Sequence, residues 1–139
     1  MENYVHTVHY YETDKMAITH HSNYIRWMEE ARVDFLAQLG YGFETLEAAG
    51  ISSPVLAVTC DYKHTTTFAD KVEIRVFVKD FTGVRLTIGY EMKKAGTGEL
   101  CCTGTSEHCF LSVATGRPVR LQKDFPGFYE VLMQNKAHD

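Results

Sequence analysis

From Asn23 onward the apolar residues Tyr24, Met28, Ala31, Phe35 and Leu39 recur at steps of four, three, four and four, which places them on one face of a helix. Ile25, Trp27 and Leu36 widen that stripe, so the helix is expected to lie mostly buried against a sheet. Ser22 is the predicted N-cap and Gly40 the predicted terminator. A short helical turn is expected over Phe43–Ala49, ended by Gly50. The period then becomes two: Leu56, Val58, Cys60 and Tyr62 alternate, as do Val72, Ile74, Val76 and Val78, and then Val84, Leu86, Ile88, Tyr90 and Met92. The breaks at Asp80-Phe81-Thr82-Gly83 and Ala95-Gly96-Thr97-Gly98 are short enough for antiparallel hairpins. A first strand is expected over residues 3–11 and a last one over Leu100–Val113, with Pro126 opening a short C-terminal helix. Strand, long helix, then four or more antiparallel strands makes an α+β unit with the helix on one sheet face. Such a sheet leaves open edges, and pairing of two copies would cover them.

Length, composition and charge narrow the class. At 139 residues, 45% apolar and 23% charged, the chain reads as one ordinary globular domain, 1–139, without repeat, low-complexity tract or linker. No apolar run approaches the roughly 20 residues of a membrane-spanning helix, and the start lacks a secretory pattern, so a cytoplasmic protein is expected. Cys60, Cys101, Cys102 and Cys109 have no C-x-x-C spacing, which fits free thiols. A net charge of −4 argues against nucleic-acid binding, so any anionic ligand would need a local basic patch.

Glu12 to Tyr24, which joins the first strand to the long helix, is the most informative stretch. A helix start carries unpaired N–H groups and partial positive charge, and can steady an oxygen gaining negative charge. Asp14 lies just upstream, where a loop could return its carboxylate to the same helix end. Alone, Asp14 reads as a loop aspartate making a turn or capping hydrogen bond. The His-Ser-Asn-Tyr-helix context that follows favours a carboxylate and oxyanion site of the kind acyl transfer to water needs.

Tyr11, Asp14, His21, Asn23, Tyr24 and the run Arg26-Trp27-Met28-Glu29-Glu30-Ala31-Arg32 resemble the 4-hydroxybenzoyl-CoA thioesterase family of hotdog-fold proteins, including its bacterial acyl-CoA thioesterase branch. Segments 84–92, His108-Cys109-Phe110 and Gly116-Arg117-Pro118-Val119 extend the likeness. The resemblance implies a long central helix wrapped by a five- or six-stranded antiparallel sheet, a homodimer or homotetramer, and a site at the interface of two copies. It implies an acyl-CoA substrate, catalytic Asp14, and the N–H near His21 polarising the thioester carbonyl. An ordinary aspartate is a weak base for water, which leans the chemistry toward direct attack over general-base catalysis. Two departures stand out. The family glycine falls at Ala17, strained if that position needs a positive φ, and a second family aspartate is here Glu12, the reserve carboxylate.

The remaining candidates follow from what coenzyme A requires. Its phosphates would pair with Arg85 beside Thr82, or with Lys63 and Lys79, each equally readable as a solvated charge. Asn23 and Tyr24 complete the substrate-binding set, Asn23 more as a holder of the loop. His21 could act through its ring or only through its main chain. Glu29 and Glu30 are candidates for salt bridges with Arg26 or Arg32. No metal is expected, because His6 and His9 point to opposite faces if both lie in a strand. No redox cofactor is expected, and the four cysteines read as inert strand thiols. Two other readings are a non-catalytic hotdog module that binds acyl-CoA or an acyl carrier, and a hotdog dehydratase.

Overall fold

The computed structural model describes residues 1–136. A long helix α1 (Ser22–Gln38) lies on a five-stranded antiparallel sheet built from β1 (Tyr4–Thr7), β3 (Val55–Tyr62), β4 (Lys71–Phe81), β5 (Arg85–Lys94) and β6 (Leu100–Cys109). Across the sheet the order is β1-β4-β5-β6-β3. This is the hotdog arrangement expected from the sequence. Two short strands, β2 (Ile51–Ser52) and β7 (Leu111–Ser112), pair with each other, and α2 (Phe43–Ala48), α3 (Leu121–Asp124) and α4 (Pro126–Gln134) close one end.

The period-four stripe places the core. Tyr24, Trp27, Met28, Ala31 and Phe35 are the buried residues of α1, and the inward positions of the sheet, among them Ile74, Val78, Ile88, Tyr90 and Met92, meet them. Packing is close enough to demand glycine at 104, where a Cβ would run into Met28 and the Thr59 carbonyl. Gly40, at φ +89°, ends α1: its N–H donates to the Ala37 carbonyl and the Tyr41 N–H reaches back to Leu36, a Schellman pair.

The boundaries differ from the sequence expectation in three places. The first strand stops at Thr7, and the chain turns through a single 3-10 turn, Tyr10–Glu12, instead of running straight to residue 11. The last strand breaks after Cys109, and residues 111–112 leave the main sheet to pair with β2. At the start of α1 the cap position falls on His21, because the Ser22 hydroxyl is engaged with the His20 ring at 2.9 Å.

β3 is a bare edge. Its inward face carries Cys60, which meets Met28, yet Val55, Val58 and Tyr62 on that same face stay 47%, 37% and 48% exposed. β1, the opposite edge, is half as long.

Candidate active site

The segment between β1 and α1 is held in place by Glu12. The residue is 5% exposed and both carboxylate oxygens are occupied. Oε1 accepts from the His9 N–H and pairs with His6 Nε2, both at 2.8 Å, and Oε2 accepts from the Trp27 indole N–H at 2.7 Å. Burial raises the Glu12 pKa, but the His9, Trp27 and His6 hydrogen bonds outweigh it and hold the group below the usual carboxylate range. Both oxygens are engaged by the scaffold and the group is buried, so Glu12 serves here to hold the loop. The same turn brings His6, His9 and Glu12 together, their ligand atoms within 4.8 Å, because His9 lies beyond the strand and curls back. The strand argument that kept the two histidines apart does not hold here. Even so, a cation would have to break the hydrogen bonds that fix Glu12.

Asp14 opens a tight turn. Its carbonyl accepts from the Ala17 N–H, and its N–H donates to the Ile18 carbonyl, both at 2.9 Å. Oδ1 accepts from the Met16 N–H at 2.8 Å, and no donor reaches Oδ2 among the described residues. Ala17 takes φ +63°, the left-handed geometry for which the family glycine is suited, at a cost of roughly 1–2 kcal/mol for a residue with a Cβ. Thr67 Oγ1 ties the turn down by donating to the Ala17 carbonyl at 2.7 Å.

At the helix start, the Asn23 side-chain amide donates to the Glu12 and His20 carbonyls at 3.0 and 3.1 Å, binding the loop to the helix. The His21 carbonyl accepts from the Tyr62 hydroxyl at 3.2 Å, and its ring stacks on His20 in the open. The main-chain N–H of His21 finds no acceptor among the described residues. Tyr24 is buried, its hydroxyl 3.0 Å from Thr66 Oγ1. Lys63 follows Tyr62 and is exposed near this end. Thr82 and Arg85 are not. They form the β4–β5 turn, with Thr82 Oγ1 accepting from the Arg85 N–H at 2.9 Å. The Asp14 loop packs beside residues 66–70 at the start of β4, so that turn is roughly 35 Å away along the strand.

Two features near the site escaped the sequence argument. Glu30 pairs with neither arginine; it faces His6 at 3.3 Å and accepts from the Tyr4 hydroxyl at 3.1 Å. Arg32 instead turns inward and donates to the Tyr90 hydroxyl at 3.2 Å, beside a cavity of about 580 Å³ under the second half of α1. His108 lines this cavity and is 1% exposed. The signal was available: Ser106 and His108 are polar residues on the inward parity of an otherwise apolar strand face.

A scan of protein families matches residues 8–131 to the thioesterase-like superfamily. The chain belongs to that superfamily. It is a hotdog-fold, thioesterase-like hydrolase. It is 30% identical over 129 residues to the Bacillus subtilis protein named "Putative acyl-CoA thioesterase YneP", covering 93% of each chain. Among solved structures it is similar to a DHNA-CoA thioesterase from Staphylococcus aureus, with 32% identity, TM-score 0.89, and 96% of this chain and 89% of the other covered. It is also similar to the hypothetical protein TT1821 from Thermus thermophilus, with 28% identity, TM-score 0.87, and coverage of 97% and 99%. No helix among the described residues is long and apolar enough to cross a membrane.

Burial and the nearby Arg32 guanidinium push the His108 pKa from the ordinary 6.5 down to about 4, against a smaller opposing pull from the Ser53 main chain. The folded protein therefore binds fewer protons at this ring than the unfolded chain between those two values. Stability must fall as pH drops through that window. Urea denaturation at pH 7.5 and 4.5 is expected to show a loss of about 2–3 kcal/mol from this group. In His108→Gln, which cannot titrate, that part of the pH dependence should disappear. An equal slope in the variant would remove the assignment.

Proposed function

We propose that the protein hydrolyses an acyl-CoA thioester to a free acid and coenzyme A, with Asp14 as the catalytic carboxylate and the start of α1 as the oxyanion site. One observation carries this reading most: Asp14 has one oxygen fixed by the Met16 N–H and the other without a donor, in a loop tied by Asn23 to a helix start whose His21 N–H is unengaged. Direct attack by Asp14 on the carbonyl gives an anhydride and expels the thiolate; water then cleaves the anhydride. If Asp14 instead deprotonates water, the same geometry serves. Either way, charge develops on the carbonyl oxygen where the His21 N–H points its positive end.

The working unit in this proposal is a dimer joined along β3. That edge has unpaired main-chain groups and exposed apolar side chains, and a second copy would cover both. Antiparallel pairing about a twofold axis reverses the strand, so the Tyr62 end of one protomer meets the Val55 end of its partner. Tyr62 contacts His21, whereas Val55 pairs with His108 at the cavity. Within one chain, the cavity lies roughly 15 Å along α1 from its start; across the axis, the Asp14 loop of one protomer comes beside the cavity of the other. The same operation brings the Thr82–Arg85 turn to the partner's reaction centre, where Arg85 could meet a coenzyme A phosphate and Lys63 could approach from the near side. The protein's free cysteine thiols fit a reducing, cytoplasmic location.

Thiol release from short, long and aromatic acyl-CoAs tests the reading. Stoichiometric thiol and free acid are expected from at least one class. Loss of water from a 3-hydroxyacyl thioester without thiol release would make the protein a dehydratase instead.

A further inference from the structure

A directed thread of hydrogen bonds crosses the apolar interior and ends at the cavity. The Arg32 guanidinium can only donate, so the Tyr90 oxygen accepts from it at 3.2 Å. The single hydroxyl hydrogen of Tyr90 then goes to Ser106 Oγ, 2.7 Å away, and that of Ser106 goes to His108 Nε2, again at 2.7 Å. No other assignment uses both hydroxyl hydrogens. Nε2 is therefore the acceptor of the imidazole, and a neutral ring carries its hydrogen on Nδ1. Burial and Arg32, which push the His108 pKa to about 4, keep the ring neutral near pH 7. The Ser53 main chain lies near Nδ1, but no acceptor among the described residues forms a well-shaped hydrogen bond with it.

The surroundings make that donor conspicuous. The cavity is lined mainly by apolar side chains such as Leu36, Ile88, Phe110 and Phe128, with Glu29, Arg32, Glu47 and Ser53 also on its wall, and its volume of about 580 Å³ suits a small molecule. A buried donor whose nearest acceptor is poorly placed is under-satisfied, and a ligand that supplies a well-placed oxygen is favoured over an equally bulky hydrocarbon that does not.

We propose that this cavity receives the acyl group of the thioester, and that His108 Nδ1–H donates to an oxygen carried on that group. The selected class is an apolar chain or ring bearing a carbonyl, ether or phenolic oxygen, in preference to plain hydrocarbon. The inference rests on the thioesterase reading for the role of the cavity, while the anchor itself stands on the thread Arg32–Tyr90–Ser106–His108.

The test uses a matched pair of neutral probes, 2-acetonaphthone and 2-ethylnaphthalene, which differ in the oxygen and need no catalysis. Calorimetric titration of the full-length protein is expected to give at least about tenfold tighter binding of the ketone. In protein with ¹⁵N-labelled histidine, the ketone should shift the His108 Nδ1 resonance and the hydrocarbon should leave it nearly unmoved. His108→Leu should erase the preference. Because that variant can lose its fold, Ser106→Ala provides the second arm: without its hydroxyl the ring loses its fixed tautomer, and the preference should shrink to below about threefold. Equal affinity for the two probes, binding of neither, or full preference retained in Ser106→Ala overturns the inference. Thiol release measured on the same preparation keeps the two ideas apart. A parent protein that hydrolyses acyl-CoA but binds both probes equally defeats the anchor alone, and one that prefers the ketone yet releases no thiol upholds the anchor and defeats the hydrolase.

Discussion

Asp14→Ala is expected to lower kcat/KM for acyl-CoA hydrolysis by at least about a hundredfold, the scale on which a positioned acid, base or nucleophile contributes. The same change removes one exposed side-chain hydrogen bond, from the Met16 N–H to Oδ1, so stability should fall by only about 1 kcal/mol. Asp14→Asn separates the two effects more cleanly. It keeps an oxygen for the Met16 N–H and discards the charge, so thermal unfolding should match the parent while thiol release is lost. A fall in melting temperature that tracked the fall in activity would assign Asp14 to the turn and not to the chemistry.

Glu12→Ala should produce the largest loss of stability, about 3–5 kcal/mol by urea denaturation. Removing the carboxylate leaves the buried Trp27 indole N–H and the His9 N–H without their acceptor, and takes one carboxylate away from His6. Against a typical total of about 5–15 kcal/mol, such a loss threatens the fold itself. Glu12→Gln keeps the volume and one oxygen but turns an amide donor toward groups that also donate, so a smaller loss of about 2 kcal/mol is expected. A cost below about 1 kcal/mol for the alanine variant would show that the loop is held by something else.

Most of the fold was written in periodicities. The four-and-three spacing from Tyr24 to Leu39 and the three alternating runs located α1, β3, β4 and β5, because each element buries one face and so repeats its apolar residues at its own pitch. The segment around Asp14 was recognisable for a different reason. It is short and contiguous, so Asp14, His21, Asn23 and Tyr24 stand at fixed distances along the chain whatever the rest of the molecule does.

What escaped depends on contacts between distant residues. Glu12 meets Trp27 fifteen positions later and His6 six positions earlier, and no local pattern foretells that a 3-10 turn will bury it. Arg32 lies on the flank of α1 among charged residues, and only the curvature of the sheet beneath shows that it points at Tyr90. Thr82 and Arg85 were grouped with Asp14 by what coenzyme A would need, whereas the length of β4 sets them at the opposite end of the same chain.

The decisive measurement is a single-preparation comparison of binding and turnover with one acyl-CoA that the parent protein accepts. The account predicts equimolar thiol and free acid from the parent, and acyl-CoA binding by Asp14→Asn at close to parental affinity with turnover reduced at least about a hundredfold. Tight binding by both proteins with equal release of thiol, or with no release from either, would contradict it.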